Sequence, residues 1–163
     1  MTLILAFLLT LTPDGTQERR AEDLFKEALV AAKAAKKEVF FTFSSPGCGW
    51  CVKFEAWKRL PQVAALLEKE FVLVHVDTSQ TPGGKELYEK YPKAQNSGVP
   101  WFVIHDGDRN ELADSNGPNG NIGCPNTDEE IEVFMGILKK VSRTLKDEDL
   151  SVLKASLLAG QKK

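Results

Sequence analysis

Cysteine is scarce in this chain, with only three in 163 residues. That is too few for a framework of disulfide staples, and a chain of this length with 42% apolar residues can bury a core without them. Long apolar runs are missing as well: no stretch approaches the roughly 20 residues a helix needs to span a bilayer. Charge of one sign is missing too. The 21 lysines and arginines are scattered among 23 acidic residues, for a net charge of −2, so nothing supplies the basic footprint of a nucleic-acid partner. There are no internal repeats and no composition shift marks a second domain, so residues 14–163 are expected to form one domain and a monomer. Only one Cys-x-x-Cys pair is present, and no second ligand pair stands at zinc spacing, whereas a structural zinc site wants four ligands.

The exception to the mixed composition is residues 1–13. Met1 to Thr12 is almost wholly apolar and ends at a polar break, Pro13-Asp14-Gly15. It reads as a secretory signal core, although no Lys or Arg precedes it and Pro13 sits awkwardly after a Thr-x-Thr cleavage site. The alternative is a strand or helix belonging to the fold. The expectation is export, to a periplasmic or extracellular location, with no stable membrane span.

Further along, the hydrophobic period alternates between helical and extended. From Gln17 to Lys37 the apolar positions Ala21, Leu24, Phe25, Ala28, Leu29, Ala32 and Ala35 recur at helical spacing. Val39–Ser44 reads as a buried central strand, Cys48–Arg59 as a helix, and Pro61 as the opening of another helix. Phe71–Val76 is a second buried strand. Thr81-Pro82-Gly83-Gly84 is a turn, and Lys85–Tyr91 is a short helix ended before Pro92. Trp101–His105 and Asn110–Ser115, joined by Asp106-Gly107-Asp108, read as an antiparallel hairpin. Ser115–Cys124, rich in Gly and Asn, is expected to be a long loop. Thr127-Asp-Glu-Glu130 is a capping box for a helix that uses Ile131, Phe134, Leu138 and Val141. Asp147–Leu158 is a last helix, with Gly160 as its stop.

The chemistry lies in Ser45-Pro46-Gly47-Cys48-Gly49-Trp50-Cys51, directly after the apolar run Val39–Phe43. Where a strand ends and a helix begins at the first cysteine, the free N–H groups and the positive dipole end stabilise a thiolate. Cys48 is then the reactive sulfur, and Cys51, one turn inside the helix, is its resolving partner. The reaction implied is thiol–disulfide exchange.

About fifty residues on stands Ser97-Gly98-Val99-Pro100, followed by the strand-like Trp101-Phe102-Val103-Ile104. Together the two motifs resemble the thioredoxin-fold proteins over residues 20–142, and most nearly the envelope branch with a Cys-Gly-Trp-Cys site. The resemblance implies an α/β thioredoxin-like fold: a central mixed sheet flanked by helices, here with N-terminal and C-terminal helical extensions. It implies a cis Pro100 facing the Cys48–Cys51 loop and a Val99 offering backbone hydrogen bonds to a bound polypeptide. Gly49 and the apolar Trp50 would complete the substrate surface, with Gly47 standing where many thioredoxins have a tryptophan. It further implies a protein-disulfide oxidoreductase with no bound cofactor and no metal. Its partners would be disulfide-containing proteins and an unidentified electron donor. Thioredoxins carry a buried acid six residues before the first cysteine; Thr42 stands there and cannot take a proton. The neighbouring-strand position falls to His75, which is therefore the candidate proton acceptor for Cys51.

Plainer readings stand beside these. His75 could be a space-filling histidine, His105 a solvated one, and Trp101 a core residue. Cys124, in the loop before the last core helix, reads as a passive thiol or a third redox thiol. A metal carrier using Cys48, Cys51 and Cys124, with His75 or His105 as a fourth ligand, is a rival from another class. So is a thioredoxin-like binding module.

Overall fold

A computed structural model of the chain describes residues 19–161. The expected signal-like segment, residues 1–13, lies outside them.

Ala21–Ala35 forms α1, whose buried stripe is Ala21, Phe25, Ala28 and Ala32. It stops at Lys36, which takes the left-handed conformation (φ 56°) and returns its N–H to the last turn. Then comes β1, Glu38–Ser44, buried at every one of its positions. Only a strand inside a sheet that is covered on both faces can be so, which is why its sequence is nearly unbroken in Val and Phe. Gly49–Lys58 is α2, Pro61–Glu70 is α3 with Pro61 in its first turn, and Phe71–Asp77 is β2. Gly84–Glu89 forms α4, Trp101–His105 β3 and Glu111–Asp114 β4.

The four strands order as β2-β1-β3-β4. β1 runs parallel to β2, with Thr42 opposite His75, and antiparallel to β3, with Phe43 opposite Trp101. Two apolar layers follow from the alternation of side chains along β1. Val39, Phe41 and Phe43 face α1 and α4 together with Trp101 and Val103. Phe40 faces the other way, into a cluster with Phe54, Phe102 and Phe134, where ring centroids lie 4.9 Å apart for Phe40–Phe102 and 5.5 Å for Phe102–Phe134.

Two C-terminal helices close that second layer. Asp128–Val141 (α5) begins with the expected capping box: Thr127 Oγ1 accepts the Glu130 N–H, and Glu130 Oε2 accepts the Thr127 N–H. Asp147–Gln161 (α6) buries Leu150, Leu153 and Leu157. The connection between them is held by Glu70, whose carboxylate accepts from the Arg143 and Thr144 N–H groups and from the Thr144 hydroxyl at 2.6–2.8 Å. Arg143 Nε also donates to the buried Glu38 at 2.6 Å.

Three expectations need correction. Residues 115–124 are not simply loop: Asn116–Gly117 (β5) and Gly120–Asn121 (β6) pair as a small ribbon beneath Ser115. Gly160 does not stop the last helix, which runs on to Gln161, whose side-chain amide is drawn to the Asn126 carbonyl at 2.9 Å. His105 is not solvated but 4% exposed. Its Nδ1 faces the Arg109 carbonyl and its Nε2 the Tyr91 hydroxyl. A carbonyl can only accept, so Nδ1 carries the proton and Nε2 receives the hydroxyl's.

Candidate active site

The end of β1, the start of α2 and the start of β3 converge on one edge of the molecule. Cys48 is the N-cap of α2, in extended backbone, and Cys51 lies one turn in. The two form a disulfide with Cα atoms 5.2 Å apart. Cys48 Sγ accepts the Cys51 N–H at 3.1 Å, so the sulfur occupies the place where a capping oxygen otherwise sits. When the pair is reduced, the same N–H and the helix dipole act on a Cys48 thiolate. Exposure separates the two sulfurs: Cys48 is partly open, whereas Cys51 is 4% exposed.

Facing them is the 97–100 turn. Cys48 Sγ lies 3.5 Å from the Val99 carbonyl oxygen, and the Val99–Pro100 bond is cis. Gly98 precedes it with φ +70°, a conformation that suits glycine. Trp50 is 48% exposed, with Lys53 Nζ 4.9 Å above its ring. A groove of about 370 Å³ runs past Trp50, Val99 and Pro100 to Cys124. Cys48, Cys51, Trp50, Val99 and Pro100 are thus brought together, with Gly49 in the first turn of α2. Cys124 borders the groove as a free thiol, and burial pushes it up to about 11, which keeps it protonated at neutral pH.

His75 sits apart from this groove. It lies on the edge strand, its Nε2 2.7 Å from Ser44 Oγ, in a hollow shared with Glu55, Lys58 and Arg59. Burial lowers its pKa; the Glu55 carboxylate opposes that shift and the Lys58 ammonium adds to it. Thr42 is met by Lys58, whose Nζ donates to Thr42 Oγ1 at 3.1 Å and pairs with Glu55 at 2.6 Å. Burial lowers the Lys58 pKa, and Glu55 partly restores it. Sequence reasoning missed this lysine. Its signal was there, because Cys51, Phe54 and Lys58 stand at i, i+3 and i+7, which places Lys58 on the buried face of α2.

Asn121 and Gly123, hidden in the Gly- and Asn-rich stretch, were missed too. Asn121 Nδ2 donates to the Ser97 and Pro100 carbonyls at 3.0 Å, and its Oδ1 accepts the Gly123 N–H at 2.9 Å. Gly123 packs so closely on Pro100 that a Cβ there would stand 1.9 Å from the Pro100 oxygen. Among the described residues no three His, Cys, Asp or Glu side chains are grouped to hold a metal ion. His105 is at the far end of β3, opposite Val39 rather than near the disulfide. Among the described residues, no helix is long and apolar enough to cross a membrane.

Comparison with known proteins agrees with this geometry. The family of thioredoxin-like domains matches residues 25–117. No curated protein matches the chain. Among solved structures, a disulphide isomerase from Xylella fastidiosa Temecula1 superposes with a TM-score of 0.56 at 19% identity, covering 91% of this chain and 99% of that one. A thioredoxin from Thermus thermophilus has a TM-score of 0.50 at 27% identity, covering 71% and 82%. DsbH oxidoreductase has a TM-score of 0.50 at 19% identity, covering 83% and 95%. A Cys-x-x-Cys disulfide at the N-terminus of a helix on this fold supports thiol–disulfide oxidoreductase chemistry in general. The chain belongs to the thioredoxin-like family.

Proposed function

We propose that the protein reduces or isomerises disulfides in partner polypeptides, with Cys48 as nucleophile and Cys51 as resolving thiol, after export directed by residues 1–13. In the reduced protein the Cys48 thiolate attacks one sulfur of a substrate disulfide, forming a mixed disulfide and releasing the other sulfur as a thiolate. Cys51 loses its proton and attacks Cys48 Sγ, which restores the Cys48–Cys51 bond and releases the second substrate thiolate. Two electrons pass from the protein dithiol to the substrate, and an external thiol donor returns them. Gly49, Trp50, Val99 and Pro100 form the surface on which the partner lies.

The observation that carries this reading is the asymmetry of the pair. One sulfur is partly open at the helix cap, 3.5 Å from the Val99 carbonyl, and its mate is buried one turn deeper. Only the first can meet a macromolecular disulfide, and only the second is held to attack it from inside.

Reduction of insulin by dithiothreitol is the test. Wild type is expected to catalyse it and Cys48→Ser to be inert, while Cys51→Ser accumulates a covalent mixed disulfide that a reductant releases. A Cys48→Ser protein as active as wild type would overturn the reading and leave the binding module; stoichiometric zinc or copper in protein purified without chelators would favour the metal carrier.

A further inference from the structure

The surface around the disulfide is richer in exposed apolar side chains than the rest of the described residues. Trp50 and Val52 stand out on α2, and Leu60 just beyond its end. Beside the groove, at Cys124, lies a second hollow of about 260 Å³, between α2 and α6. Its walls are chiefly Trp57, Leu60, Leu157 and Pro125, and it shares Cys124 and Asn126 with the disulfide groove. The two therefore adjoin at those residues. The hollow is smaller than the roughly 300–1,000 Å³ of sites that enclose a whole small ligand, which suits a single side chain better than a cofactor.

It is also preformed. Trp57 Nε1 donates to Ser156 Oγ at 2.7 Å, and that hydroxyl donates to the Leu153 carbonyl at 2.6 Å, so the tryptophan wall is tied to α6. With that hydroxyl engaged in both directions, little polar demand is left at the wall. Cys124, Pro125 and α6 lie beyond residues 25–117, so that wall of the hollow stands outside the matched segment.

We propose that the hollow receives an aliphatic or aromatic side chain of the same polypeptide whose disulfide is exchanged at Cys48. This rests on the reading under Proposed function and adds a substrate class to it: extended segments with an apolar residue at a set distance from the attacked cysteine. The distance follows from α2. Cys48 to Ala56 spans eight residues of helix, about 12 Å at 1.5 Å each. An extended peptide covers that in about four residues at 3.3 Å each.

The test uses reduced protein and Ser/Gly peptides with one cysteine, presented as its thionitrobenzoate mixed disulfide, with Leu or Ser four residues to either side. Displacement of the coloured thiolate gives the rate. One Leu peptide is expected to react about tenfold faster than its Ser counterpart, from burial of one aliphatic side chain. Ala56→Glu, an exposed substitution at the rim, is expected to bring the Leu/Ser ratio to about one. A wild-type ratio near one at both offsets, with the Ser peptide still exchanged, overturns this inference and leaves the proposed function standing. So does a ratio that persists in Ala56→Glu, or an Ala56→Glu protein that splits a dimer, which would put a second copy in the hollow. No exchange with any peptide sinks the proposed function and this inference together.

Discussion

Asn121 ties together the two backbone segments that wall the disulfide groove, and among the described residues no other single side chain does so. Its amide N–H₂ holds the Ser97 and Pro100 carbonyls while its oxygen receives the Gly123 N–H and the Ser115 hydroxyl. Asn121→Ala therefore strands partly buried donors and acceptors at about 1–3 kcal/mol for such a group. The expected outcome is a loss of about 2 kcal/mol in urea denaturation with a matching loss of insulin reduction; full stability and rate would show that the 97–100 turn holds itself. Gly123→Ala acts through volume instead, since the Pro100 oxygen leaves no room for a methyl. A separate prediction concerns His75. If it takes the Cys51 proton, His75→Leu slows resolution of the mixed disulfide by at least about tenfold at pH 7. Lys58→Met, which removes the ammonium bonded to Thr42 but leaves the imidazole, is expected to slow it less. Stopped-flow release of the second thiol separates them, and the reverse order would move the role to Lys58.

α6 is attached along its face and at its entry by different means. Leu150, Leu153 and Leu157 bury its face, while its entry is fixed by Glu70 on α3, which caps the Arg143–Thr144 backbone before the helix begins. Glu70→Gln keeps the shape but points an N–H₂ at donors, leaving one or more of them unpaired. A loss of about 2–3 kcal/mol is expected from breaking charge-assisted bonds. Hydrogen exchange should show α6 opening more easily than β1; uniform loosening would assign Glu70 to the whole core. This staple also shows where sequence reading stopped. The elements with a strong period were legible: α1 from its alanine and phenylalanine stripe, β1 from its unbroken apolar run, α5 from its capping box. The Cys48–Cys51 pair and the Val99–Pro100 segment were legible because each has a local signature. Asn121, Gly123 and Glu70 were not, because their partners lie across long sequence separations and no period announces them; the β5–β6 ribbon, whose strands are two residues each, is too short to show an alternating pattern. His105 was misread for the same reason: a histidine beside a turn looks solvated until Tyr91 is placed over it.

At the scale of the molecule, the sheet separates two apolar layers with different tasks. One carries α2, α5 and α6 beneath the disulfide; the other, with α1 and α4, closes around Phe25, Phe41 and Trp101 and takes in His105 at its distal edge. The second layer makes stability depend on pH. Burial depresses the His105 pKa below its ordinary 6.5, opposed by the Arg109 carbonyl and the Glu111 carboxylate. The unfolded chain then binds the proton that the folded chain refuses, so stability is fully present above about pH 6.5 and falls as pH drops toward the folded value. The slope for one such group cannot exceed about 1.4 kcal/mol per pH unit. Glu38 works in the opposite sense. Its carboxyl is raised above 4.5 by burial, against the pull of Arg143, so acid relieves it in a window that starts at 4.5 and extends upward. His75, lowered too, adds to the acid loss but is more open to water. Comparing wild type with His105→Gln at each pH cancels Glu38 and His75 and leaves His105 alone. The stability gap between the two is expected to be constant from pH 8 to 7 and to shrink by up to about 1 kcal/mol between pH 6.5 and 5.5. A gap that stays constant down to pH 5.5 would mean that the folded protein accepts the proton at His105 without penalty, and that the layer around Phe25 is wetter than its packing implies.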